Sequence, residues 1–96
     1  MDMADVAKPT VHMNGTGGED LMSGYNEAYL KVGVAIDVVN KIEFNQRDYY
    51  VQPGAGWEQA VSQHRARLVK LQQVQAELGE IAMSIQDQLF ARKGTR

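Results

Sequence analysis

Trp57 to Arg92, WEQAVSQHRARLVKLQQVQAELGEIAMSIQDQLFAR, decides the fold. Trp57, Val61, His64, Leu68, Leu71, Gln75, Leu78, Ala82, Ile85 and Leu89 follow one another at alternating steps of four and three. Such a period places all ten on one side of an α-helix, and no strand reproduces it. Val74 and Ile81 widen the apolar stripe. Pro53-Gly54 precedes the pattern, and Arg92, Lys93 and Gly94 follow it. Cations suit the negative end of the helix dipole and glycine suits a stop. The pattern predicts a second helix over residues 56–92, roughly 50 Å long.

Upstream, Met22, Tyr25, Tyr29, Val32, Ile36 and Val39 are spaced by three and four, and Leu21, Ala28, Ala35 and Ile42 form a second row at intervals of seven. The β-branched run from Val32 to Val39 lowers helix propensity, but the sustained period outweighs it. A first helix is expected over 16–43, opened by a capping box between Thr16 and Glu19. Residues 1–15 read as a flexible arm and turn, with Pro9 discouraging helix before it. Residues 44–55 form the loop, so 16–93 is one domain. Two helices joined by a dozen residues make a long antiparallel hairpin. Both stripes are wider than one hairpin covers, and exposed apolar surface of that size signals association. The expected fold is therefore all-α, with hairpins assembling into an even-numbered homo-oligomer of four-helix-bundle type.

Composition narrows the function classes. The chain has 96 residues, no cysteine and a formal charge of −2. A thiolate metal site is excluded, and a long nucleic acid is not expected as a partner. No apolar run is long enough to span a membrane, and no signal-peptide pattern opens the chain, so a cytoplasmic protein without a membrane partner is expected. His12 and His64 are the only histidines and lack metal-ligand spacing. No nucleophile motif is present. The expectation is a protein without a metal or cofactor and without catalytic activity.

Two polar clusters stand out. Asn45-Gln46-Arg47-Asp48-Tyr49-Tyr50-Val51-Gln52-Pro53 carries more chemistry than a connector needs. Arg47 suits a phosphate or carboxylate through paired N–H bonds, Tyr49 or Tyr50 suits stacking on a base, and Asp48 and Gln52 add polar contacts. The same run also fits an ordered loop whose rings cap the bundle's end. His12-Met13-Asn14-Gly15-Thr16-Gly17-Gly18 is a turn entering a helix, but it lacks a phosphate-loop lysine. His64 and Gln75 interrupt the apolar rows. Gln75 is expected to fix register, while His64 lies close enough to the loop to reach a ligand held there. The candidate ligand set is His12, Asn14, Thr16, Arg47, Asp48, Tyr49, Tyr50, Gln52, His64 and Arg65. The two clusters lie at opposite ends of the first helix. A second hairpin packed head to tail would bring one copy's turn beside the other copy's loop.

His12-x-Asn14-Gly15-Thr16, Arg47-Asp48-Tyr49-Tyr50-x-Gln52 and His64-Arg65-x-Arg67-Leu68 together resemble motifs of a group of small uncharacterised bacteriophage and prophage proteins, over about residues 11–90. Those proteins often carry serine where this chain has Gly17. The resemblance implies the cytoplasm of an infected bacterium as the setting. By analogy with small helical phage proteins that sequester nucleotide immune signals, it implies a nucleotide-like ligand. The alternatives are a phage structural or adaptor protein using the polar loop, and a direct protein inhibitor of host defence.

Overall fold

The computed structural model of the chain describes residues 5–94. It contains two long helices, α1 (Gly18–Asn40) and α2 (Gly56–Gly94), which pack against each other, and no strand among the described residues. A single 3₁₀ turn, Gln46–Tyr49, lies between them. The molecule measures 68 × 26 × 20 Å. At 1.5 Å per residue α1 spans about 34 Å and α2 about 58 Å.

Two helices bury little by themselves. Among the described residues only Ala82 and Ile85 are buried, and Ile85 alone is fully enclosed. The core sits there because a third element crosses it. Residues 8–11, which belong to no helix or strand, lie along the C-terminal half of α2. The Gln88 side chain holds this strap at both faces of its amide. Its Oε1 accepts from the Val11 N–H at 2.8 Å, and its Nε2 donates to the Pro9 carbonyl at 3.0 Å. Lys8 pairs with Glu80 at 3.0 Å. Gly18 lets strap and helices meet: a Cβ there would stand 3.0 Å from a Val11 methyl and 2.6 Å from a Leu89 methyl. The segment expected to be a loose arm is thus docked over residues 8–11.

Register along the hairpin is set by two glycines. The Gln75 Nε2 donates to the Tyr29 carbonyl at 3.3 Å, reaching across the space that a side chain at Gly33 would take. The Tyr29 ring lies on Gly79, where a Cβ would stand 2.8 Å from its Cε1. Glycine inside a helix ordinarily costs about 1 kcal/mol relative to alanine. Here the ring leaves no room, and forcing a methyl into packed space costs about 1–3 kcal/mol. Gly79→Ala is therefore expected to lower stability against its helix propensity, measured by urea unfolding at fixed protein concentration.

Both ends of α1 differ from expectation. The N-cap is Gly17, and no side chain caps the helix, so the Thr16–Glu19 box does not form. The Leu21 N–H is taken by the Gly17 carbonyl at 2.9 Å. His12 to Gly15 instead forms its own turn, closed by Gly15 N–H to the His12 carbonyl at 3.3 Å, with the imidazole folded over Gly15. At the other end α1 stops at Asn40 rather than near Glu43. The early exit frees Phe44 to drop between Trp57 and His64 of α2. No helix is long and apolar enough to cross a membrane among the described residues.

Candidate functional site

At the loop end the connector closes over the first turns of α2. The Asn45 N–H donates to the Asp48 carboxylate at 2.8 Å, while the Asp48 N–H donates to the Asn45 carbonyl at 2.9 Å. This reciprocal closure makes the 3₁₀ turn and sets Tyr49 inward. Gly54, at φ 79°, takes the left-handed conformation that reverses the chain into α2.

Four rings form a continuous wall. Phe44 lies 4.9 Å from His64 and 5.5 Å from Trp57, and Tyr49 lies 5.9 Å from Trp57, all tilted by 52–58°. These separations lie in the range favoured by aromatic pairs. Beside the wall is a cleft of about 320 Å³, lined by Tyr49, Gln52, Gln59, Gln63, His64 and Arg67 with Ile42, Phe44, Gly56 and Ala60. That volume is at the small end for small-molecule sites. Gln59, Gln63 and Arg67 recur at intervals of four and so share one face of α2. Gln52 folds back over the start of α2, where a Cβ on Gly56 would stand 2.7 Å from its Oε1.

The lining contains no carboxylate, and Arg67 supplies its one permanent charge. Three carboxamides provide donors and acceptors, the rings provide flat apolar surface, and the guanidinium provides a fork of N–H donors for an anion. The other hollows differ. One beside Trp57 is lined by both Arg65 and Glu58, and one near the strap is rimmed by Lys8, Glu80 and Asp87. The acid-free cleft is the place where an anionic, ring-bearing molecule fits best.

The ten expected ligand residues are distributed unequally. Tyr49, Gln52 and His64 meet in the cleft. Arg47 and Tyr50 are exposed on the outside of the turn, and the Asp48 carboxylate is committed to closing it. Arg65 faces the neighbouring hollow with Trp57 and Glu58. His12, Asn14 and Thr16 lie at the opposite end of α1, exposed, with Thr16 on a separate apolar hollow. Phe44, Trp57, Gln59, Gln63 and Arg67 were outside the expected set. The row of two amides and a guanidinium at intervals of four was the one sequence signal for three of them. Among the described residues, no group of three or more His, Asp or Glu side chains could hold a metal ion.

Comparison with protein-family models, with curated proteins and with solved structures finds no match to this chain.

Proposed function

We propose that the chain binds and sequesters a small nucleotide-like signal, without turning it over, as a phage anti-defence protein in the cytoplasm of the infected host. The observation that carries this reading is the acid-free cleft, lined by the rings of Phe44, Tyr49 and His64 and by Arg67. Rings accept a base, amides its polar edge, and the guanidinium a phosphate.

The binding unit in this proposal is an even-numbered assembly of hairpins, paired as a four-helix bundle. The chain exposes 7431 Å². A compact monomer of its 10.7 kDa mass exposes about 5,500 Å². The excess, about 1,900 Å², exceeds the roughly 800 Å² that each partner contributes to a standard interface. In a head-to-tail pair His12, Asn14 and Thr16 of one copy approach the cleft of the other. Sites between protomers would then contain both polar clusters.

A panel of cyclic and ADP-ribose-type nucleotides tests the proposal by thermal shift, with native mass on the same sample. A ligand that binds only the folded state raises the midpoint, by the equivalent of about 2.7 kcal/mol at a hundredfold excess over Kd. Heating should release that nucleotide chemically unchanged. Altered nucleotide would instead mean an enzyme.

One observation favours a second reading. Tyr50 and Val51 are 72% and 94% exposed at the tip, beside Arg47. Tyr and Arg are frequent anchors of protein interfaces. In this reading the tip contacts another protein, as a structural adaptor or a direct inhibitor of host defence. Co-purification with virions that is lost in Tyr50→Ala, together with no shift across the nucleotide panel, would establish the adaptor.

A further inference from the structure

We propose that the outer face of α1 is a two-fold joint with α1 of a second copy, running antiparallel and centred near Lys31. This rests on the assembly proposed above and names the surface that makes it. Leu30, Val34 and Val38 recur at intervals of four within α1 and are 57%, 58% and 61% exposed. Residues at that interval form the ridge with which helices most often interlock. The other half of the same helix carries the matching depression. A mainly apolar hollow of about 270 Å³ lies along Leu21, Gly24, Tyr25 and Ala28, closed by Leu78 of α2 and edged by Thr16 and Asp20, and a Cβ on Gly24 would meet nothing within 4 Å.

A ridge at one end and a hollow at the other end of one element make a self-complementary surface, as an isologous contact requires. Antiparallel pairing centred on Lys31 sets Val38 of each copy over Gly24 of the other. Charge favours this direction over the parallel one. Glu19 and Asp20 occupy the first turn of α1 and Lys41 follows its last. Antiparallel copies bring those acids level with the second copy's Lys41 and Glu43 and set Lys31 beside its counterpart on the axis, whereas parallel copies would stack every like charge along the helix. The exposed row on α2, which includes Val69, Met83 and Phe90, lacks this match, because the hollow beside Met83 is rimmed by Lys8, Glu80 and Asp87. The same register carries one copy's His12-to-Thr16 turn to the other copy's 3₁₀ turn. The composite site then follows from the joint itself.

The chain has no cysteine, so disulfide mapping needs no background removal. Lys31→Cys should cross-link to itself under mild oxidation. Gly24→Cys and Val38→Cys should each stay uncross-linked alone and form a covalent pair when mixed. Met83→Cys serves as the control and should not cross-link. Val38→Glu should lower the mass measured by sedimentation while helicity is retained. Gly24→Leu, whose Cβ meets nothing within 4 Å in the isolated hairpin, should do the same by filling the hollow. Cross-linking through Met83→Cys alone, or an unchanged mass for both Val38→Glu and Gly24→Leu, would overturn the joint. The outcome separates from the ligand proposal. Cross-links with no nucleotide shift leave the joint standing and remove the ligand. A nucleotide shift without the Lys31 cross-link does the reverse.

Discussion

Ile85→Ala is expected to lower the thermal midpoint by about 10 °C or more, the largest stability effect of any single truncation in this chain. Ile85 is the one fully enclosed side chain among the described residues, and Ala82 beside it is the other buried one. Truncating a buried isoleucine to alanine costs about 2–5 kcal/mol. Small domains are stable by only about 5–15 kcal/mol, and one with so small a core is expected toward the lower end. Each kcal/mol is worth about 4–8 °C for a domain of this length. Ile81, one turn away and only half-buried, should lose markedly less when truncated. Calorimetry at a fixed protein concentration checks both, since association would otherwise move the midpoint. Equal losses at the two positions would show that the core at this end is not organised around Ile85.

The strap explains why that core exists where it does. Gln88 clamps the backbone of the strap through both ends of its amide, and Val11 closes over Gly18. None of this was legible in the sequence, because a glutamine on a long helix reads as solvent face. Its partner lies 77 residues away. By contrast, the helices were legible wherever a period was sustained, from Trp57 to Leu89 and from Leu21 to Val39. Their ends were not. Thr16 and Glu19 have capping-box spacing, yet Gly17 caps α1 while residues 8–11 dock on α2. The departure of the chain at Asn40 is decided by where Phe44 packs, which is a tertiary contact.

The candidate site divides in the same way. Tyr49, Gln52 and His64 were readable from their proximity in sequence and their chemistry. Arg47 and Tyr50 were chosen on the same grounds, but residues adjacent in a 3₁₀ turn point in different directions, so only some can face one cleft. Trp57 read as the first residue of the apolar row on α2, and it packs against Phe44 and Tyr49. Their ring edges also make the wall. Gln75 was expected to set register, and its hydrogen bond to the Tyr29 carbonyl runs between the helices at mid-hairpin.

Arg67→Ala is expected to weaken binding of an anionic nucleotide by about 10- to 100-fold, while Arg47→Ala costs much less in the isolated site. The difference follows from position. Arg67 lies on the row with Gln59 and Gln63, on the rim of the cleft, and no carboxylate in the lining competes for it. Arg47 is exposed on the far side of a turn whose carboxylate is already engaged. Hydrogen bonds to a charged group contribute about 1.5–3 kcal/mol, and 1.4 kcal/mol is tenfold in Kd. Arg67→Lys should recover only part of the loss, because an ammonium keeps the charge but not the two parallel N–H bonds. Titration calorimetry of the three variants against the tightest nucleotide of the panel, at two salt concentrations, makes the comparison. The wild-type affinity should fall with salt more steeply than that of Arg67→Ala, since the removed contact is the charged one. If Arg47→Ala proves the more damaging variant, the anion is held outside the cleft. The binding site would then have to be sought at the exposed tip, where a second copy's turn can supply its other half.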